Sequence, residues 1–95
     1  MKAVLIIRQR LNYTDGAILD IKVWEVPAPV PPSGHRFKYS LFYGRAGERI
    51  VGYDNERGKG DHRHLGPDEL PYRFVDLDTL LDDFGHDVKR ARGEA

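Results

Sequence analysis

Between residues 36 and 43 apolar side chains fall at every second position, at Phe37, Tyr39, Leu41 and Tyr43. A period of two suits a strand with one buried face; a helix would need apolar positions every three to four residues. Gly44-Arg45-Ala46-Gly47 then turns the chain and residues 49–53 return, so the centre of the sequence predicts a hairpin. An earlier hairpin precedes it. Residues 2–11 are rich in β-branched and aliphatic side chains, and Thr14-Asp15-Gly16 supplies turn chemistry. Residues 17–26 return with Leu19, Ile21 and Val23 on one face and Asp20, Lys22 and Trp24 on the other.

Residues 27–34 contain four prolines, which donate no ladder hydrogen bonds, and read as a stiff extended connector. After Tyr53 the apolar pattern stops, and residues 72–75 offer a short last strand. Asp76 then has the chemistry of a helix cap. Leu77, Leu80, Leu81, Phe84 and Val88 form one apolar stripe at helical spacing. Gly85 interrupts the stripe at a cost of about 1 kcal/mol relative to alanine, so the helix is expected to end or bend there and residues 89–95 to fray. The expectation is an α+β fold, a four- to five-stranded mainly antiparallel sheet with one C-terminal helix packed on a face. At 95 residues the natural reading is a single domain, 1–95.

There is no cysteine, which removes disulfides and thiolate metal sites. The apolar run at residues 3–7 is too short for a membrane span or a signal-peptide core, so a cytoplasmic protein without a membrane partner is expected. Formal net charge is zero, but the charges are unevenly distributed. Residues 35–64 hold Arg36, Lys38, Arg45, Arg49, Arg57, Lys59 and Arg63 against Glu48, Asp54, Glu56 and Asp61. Residues 65–87 hold only Arg73 against seven aspartates and glutamates. A neutral protein can thus present a basic face to nucleic acid or to an acidic partner.

The densest chemistry lies in residues 53–64, Tyr53-Asp54-Asn55-Glu56-Arg57-Gly58-Lys59-Gly60-Asp61-His62-Arg63-His64. In an extended stretch His62 and His64 point to one face and Arg63 to the other. Two such imidazoles can exchange protons near neutral pH, one as base and one as acid. The catalytic candidates are therefore His62, His64, Asp61 and Asp54. Arg57, Lys59 and Arg63 are candidate phosphate ligands; Tyr53 and Tyr72 are candidate base-stacking groups; Asn55 and Glu69 complete the substrate-binding set. A phosphodiester fits these residues, because metal-independent RNA cleavage needs two proton transfers and cations to meet the charge growing on phosphorus. Two alternatives stand beside this. Charged residues around Gly58-Lys59-Gly60 also describe a solvated loop, and His-x-His is a metal-ligand spacing that Asp54, Asp61 or Glu69 would complete. The neighbouring Arg57, Lys59 and Arg63 would repel a dication, so the expectation is no metal and no cofactor. Phe37, Tyr39 and Tyr43 read as sheet packing, His35 and His86 as lesser positions, and Lys59 lacks the spacing of a nucleotide-binding P-loop.

Tyr53-Asp54-Asn55, then Lys59-Gly60-Asp61-His62-Arg63-His64, then Glu69 and Pro71-Tyr72-Arg73-Phe74 ahead of the terminal helix, together resemble the TumE-type toxins of bacterial toxin-antitoxin pairs. The resemblance covers nearly the whole chain. It implies a toxin neutralised by a DNA-binding antitoxin encoded beside it. By analogy with other toxins of this size it also suggests a ribonuclease acting on RNA. The other readings are a non-catalytic module that binds an acidic protein and a metal-dependent hydrolase built on His and carboxylate ligands. The basic central segment is the expected docking face for the antitoxin, with strand addition at a sheet edge as the alternative.

Overall fold

The computed structural model describes residues 2–94, in which the two hairpins extend into one antiparallel meander. Its strands are β1 (Val4–Asn12), β2 (Ile18–Glu25), β3 (Phe37–Arg45), β4 (Glu48–Glu56), β5 (Gly60–Leu65) and β6 (Asp68–Pro71), neighbours in that order. One helix among the described residues, α1 (Leu77–Ala91), follows. The turn glycines Gly16 and Gly47 take φ of 92° and 75°, a region closed to most side chains, which explains why glycine ends each turn.

Register decides what each face carries. Ile21, Leu41, Tyr53 and Arg63 stand in one cross-strand row, and Leu19, Tyr43, Val51 and Leu65 in another. These rows lie under α1. Leu80, Phe84 and Val88 bury the apolar stripe of the helix against them, with the Phe84 ring edge-on to Tyr53 at 6.0 Å. Each such burial contributes roughly 1.5–3 kcal/mol. Asp76 caps the helix by accepting the Thr79 backbone N–H at 2.7 Å.

The opposite face takes the alternate residues. One row runs Arg8, Lys22, Ser40, Asp54, His62, and a second runs Arg10, Asp20, Phe42, Gly52, His64, Glu69. The helix does not cover these rows.

Four expectations change. The sheet has six strands rather than four or five, because β5 and β6 carry no apolar alternation: β5 turns Asp61 and Arg63 inward, where hydrogen bonds replace apolar packing. The last strand is β6 at Asp68–Pro71, and residues 72–75 form the connection to the helix. Gly85 does not end the helix, which continues to Ala91 because Asp87 and Val88 beyond it are anchored in the interior. Leu81, assigned to the buried stripe, is only half-buried at the edge of the interface.

Candidate functional site

On the open face, His64 lies between two partners. Arg49 Nη2 donates to His64 Nδ1 at 2.9 Å, and the other ring nitrogen, Nε2, faces Asp54 Oδ1 at 3.3 Å. Guanidinium has no acceptor, so Nδ1 carries the lone pair and the Nε2 proton points at the carboxylate. Arg49 reaches the imidazole across Gly52. A β-carbon at that position would stand 2.6 Å from Arg49 Cδ, and a glycine in mid-strand is what lets the side chain lie flat on the sheet.

His62 projects from the same strand to the same face. Its Nδ1 lies 3.2 Å from the Gly60 carbonyl, which only accepts, so Nδ1 is the protonated nitrogen of the neutral ring. Nε2 is left facing Glu69 Oε1 at 4.0 Å, an ion pair when the ring is protonated. The His62 side chain is 21% exposed and that of His64 11%, so His62 is open to a ligand while His64 is screened by Arg49.

The other candidates are divided between this face and the helix side. Asp61 lies beneath the proline connector, accepting from Ser33, from Tyr39 OH at 2.6 Å and from His35 Nε2 at 2.7 Å. The Phe37 backbone N–H donates to His35 Nδ1, which fixes the proton of His35 on Nε2. Burial pushes the Asp61 carboxyl up, but the hydrogen bonds from Ser33, Tyr39 and His35 outweigh it and hold the group below the ordinary carboxylate range. Asp61 thus stands on the face opposite the histidine pair, and His35 is a structural partner that sequence reasoning underrated. Asn55 is fully buried, with its amide committed to the Tyr39 N–H and the Phe37 carbonyl.

Arg63 is also turned inward. Its guanidinium makes a two-pronged pair with Asp87 of α1, at 2.9 and 2.8 Å, while Tyr53 OH donates to the same carboxylate. Tyr53 is 1% exposed and Tyr72 gives its hydroxyl proton to Asp83, so the structure places both in the sheet–helix interface. Burial raises the phenol pKa of both tyrosines, and the carboxylate partners raise it further, so both remain hydrogen-bond donors. Arg57 and Lys59 sit exposed on the β4–β5 turn at one end of the open face. Among the described residues no three or more His, Asp or Glu side chains converge as a metal-ligand set, and Arg49 occupies the nitrogen through which His64 would ligate.

The two inward aspartates make stability depend on acid. Burial raises the Asp87 pKa, but the bonds from Arg63 and Tyr53 win and hold it, like Asp61, below the 3.8 of a free side chain. The unfolded chain therefore binds protons first. Their contribution is complete above the unfolded pKa and is lost as pH falls through the folded values. The melting temperature is expected to drop as pH is lowered from about 5 to about 3, and Asp87→Asn should flatten that slope. Thermal unfolding at several pH values measures it.

A family model described as Toxin TumE matches residues 2–92. No curated protein and no solved structure matches the chain. Among the described residues no helix is long and apolar enough to cross a membrane. Of the residues on the open face, Arg49 was missed by sequence reasoning; the mid-strand Gly52 was its one available signal.

Proposed function

The chain belongs to the Toxin TumE family, and from that premise we propose that this toxin of a toxin-antitoxin pair cleaves RNA in the cytoplasm at its helix-free sheet face. The observation that supports this most is the arrangement of His64 between Asp54 and Arg49, with His62 on the same strand and face. A phosphodiester draws Arg49 onto its oxygens and frees His64 Nδ1. His64 Nδ1 then takes the proton of the 2′-hydroxyl, and Asp54 at Nε2 stabilises the imidazolium. The 2′-oxygen bonds to phosphorus as the bond from phosphorus to the 5′-oxygen breaks. Protonated His62 gives its Nε2 proton to that leaving oxygen, and Arg49 meets the charge on the phosphorane. No metal is required. Asp61, Asn55, Tyr53, Tyr72 and Arg63 support the strands that hold these groups, while Arg57 and Lys59 add positive potential at the rim.

The cognate antitoxin, which the family implies, silences the toxin in this proposal by covering the open face; a DNA-binding protein with an acidic extension has the required charge.

Purified protein incubated with a labelled single-stranded RNA tests the chemistry. The expected fragments end in a 2′,3′-cyclic phosphate and a 5′-hydroxyl; fragments with a 5′-phosphate, or no cleavage by folded protein, reject the mechanism. Gly52→Ala is expected to displace Arg49 and lower the cleavage rate at least tenfold. Its melting temperature should change by only a few degrees, since the atom displaced belongs to a flexible surface side chain.

A further inference from the structure

The ten aromatic residues divide unequally between the two sides of the sheet. Tyr13, Phe37, Tyr39, Tyr43, Tyr53, Tyr72, Phe74 and Phe84 pack ring against ring on the helix side. Trp24 and Phe42 stand on the open face, half-buried, and stack on no other ring among the described residues. They are two of the alternate residues of β2 and β3, beside Lys22, Lys38 and Ser40. Lys38 donates to the Asn55 carbonyl, and neither Lys22 nor Lys38 meets a carboxylate among the described residues, whereas Arg8 and Arg10 share Asp20. The β1–β3 half of the open face thus carries four cations, one carboxylate and two unpaired rings.

This half is continuous with the histidine pair. Lys22, Ser40, Asp54 and His62 share one cross-strand row, and Phe42, Gly52 and His64 the next. At about 4.8 Å between strands, Phe42 lies roughly 10 Å from His64, and Lys22 roughly 14 Å from His62. We infer that Trp24, Phe42, Lys22 and Lys38 form a track for single-stranded RNA that leads an unpaired strand to the histidine pair. This deepens the ribonuclease reading and rests on it.

The chemistry follows from the residue types. An exposed ring on a sheet stacks on the face of any base, so it selects unpaired bases over sequence; bases within a duplex are stacked on one another and hide those faces. Lysines with no carboxylate partner neutralise phosphates and release counterions. A strand lying across β2 and β3 therefore has its bases on Trp24 and Phe42, its phosphates on Lys22 and Lys38, and its next phosphodiester at Arg49 and His62. Arg57 and Lys59 lie at the end of the hairpin and serve the rim rather than this track.

Trp24 is the only tryptophan of the chain, so its fluorescence reports the track directly. The probe is a short 2′-O-methyl RNA, which binds but has no 2′-hydroxyl to attack phosphorus. Adding it single-stranded should quench Trp24, the same strand in a duplex should bind at least tenfold more weakly, and Phe42→Ala and Lys22→Gln should each weaken single-strand binding about tenfold. Lys22→Gln should also lower the slope of log affinity against log salt by about 0.7. Folding of the variants is checked by circular dichroism, and the wild-type quench stands without them. Binding of the probe without quench or loss in either variant, while wild-type protein cleaves RNA, overturns the track but leaves the ribonuclease. Quench by the probe with no RNA cleavage overturns the ribonuclease and keeps a single-strand binding face. Quench by poly-glutamate and not by the RNA probe would assign the face to an acidic protein and overturn the inference.

Discussion

Replacing His62 by alanine is expected to slow RNA cleavage by about 10²- to 10⁴-fold, the range for loss of a positioned proton donor. The ring hangs from a strand whose backbone pairing with β4 does not depend on it, and it makes one side-chain hydrogen bond, to Gly60. The melting temperature should therefore stay within a few degrees of wild type. His64→Ala should lose as much rate, with a small stability cost because Arg49 and Asp54 are open enough to find water. The two losses should not add, since both residues serve one reaction step. A His62→Ala protein that cleaves RNA at more than a tenth of the wild-type rate would remove this residue from the chemistry.

The largest change in stability is expected at Arg63. Asp87 is 3% exposed and lies against three donors, of which the two-pronged Arg63 pair is the strongest. Arg63→Ala leaves a buried carboxylate with the Tyr53 hydroxyl and a distant Arg90. Removing one partner of such a pair costs about 3 kcal/mol, a large part of the stability of a domain this small. At roughly 4–8 °C per kcal/mol, the melting temperature should fall by roughly 12–24 °C. Arg63→Lys should recover part of the loss, since a lysine supplies the charge but not both prongs. In an Arg63→Ala, Asp87→Ala double variant the loss should fall short of the sum of the single losses by at least about 1 kcal/mol. Simple additivity would mean that the pair does not hold the helix to the sheet.

These two residues mark where sequence reading succeeded and where it stopped. The spacing of His62, Arg63 and His64 was legible because a strand turns neighbours to opposite faces, and β5 does so. What each face met was not legible. Arg63, Tyr53 and Asn55 look like ligand-binding groups in a polar run, yet their partners Asp87, Tyr39 and Phe37 are distant in sequence and only the fold brings them together. Asp87 shows why. On the helix it reads as one acidic residue among several, and its burial follows from Arg63 facing it across the interface. The first four strands were legible because most of their inward residues are apolar. The fifth was not, because hydrogen bonds fill its inward positions. Trp24 could be placed on a face from the sequence, but the lack of a ring partner that it shares with Phe42 appears only when the other eight aromatic residues are seen to pack ring against ring.

Induced expression in bacteria of the wild type, of His62→Ala and of a His62→Ala, His64→Ala double variant tests the central claim, that the histidine pair on the open face is the toxic site. Each protein would be recovered and its folding confirmed by melting. The expected result is arrested growth with the wild type and growth at the uninduced rate with the folded double variant. Arrest by a folded double variant at the same expression level would contradict the claim and move the toxic chemistry to another part of the molecule.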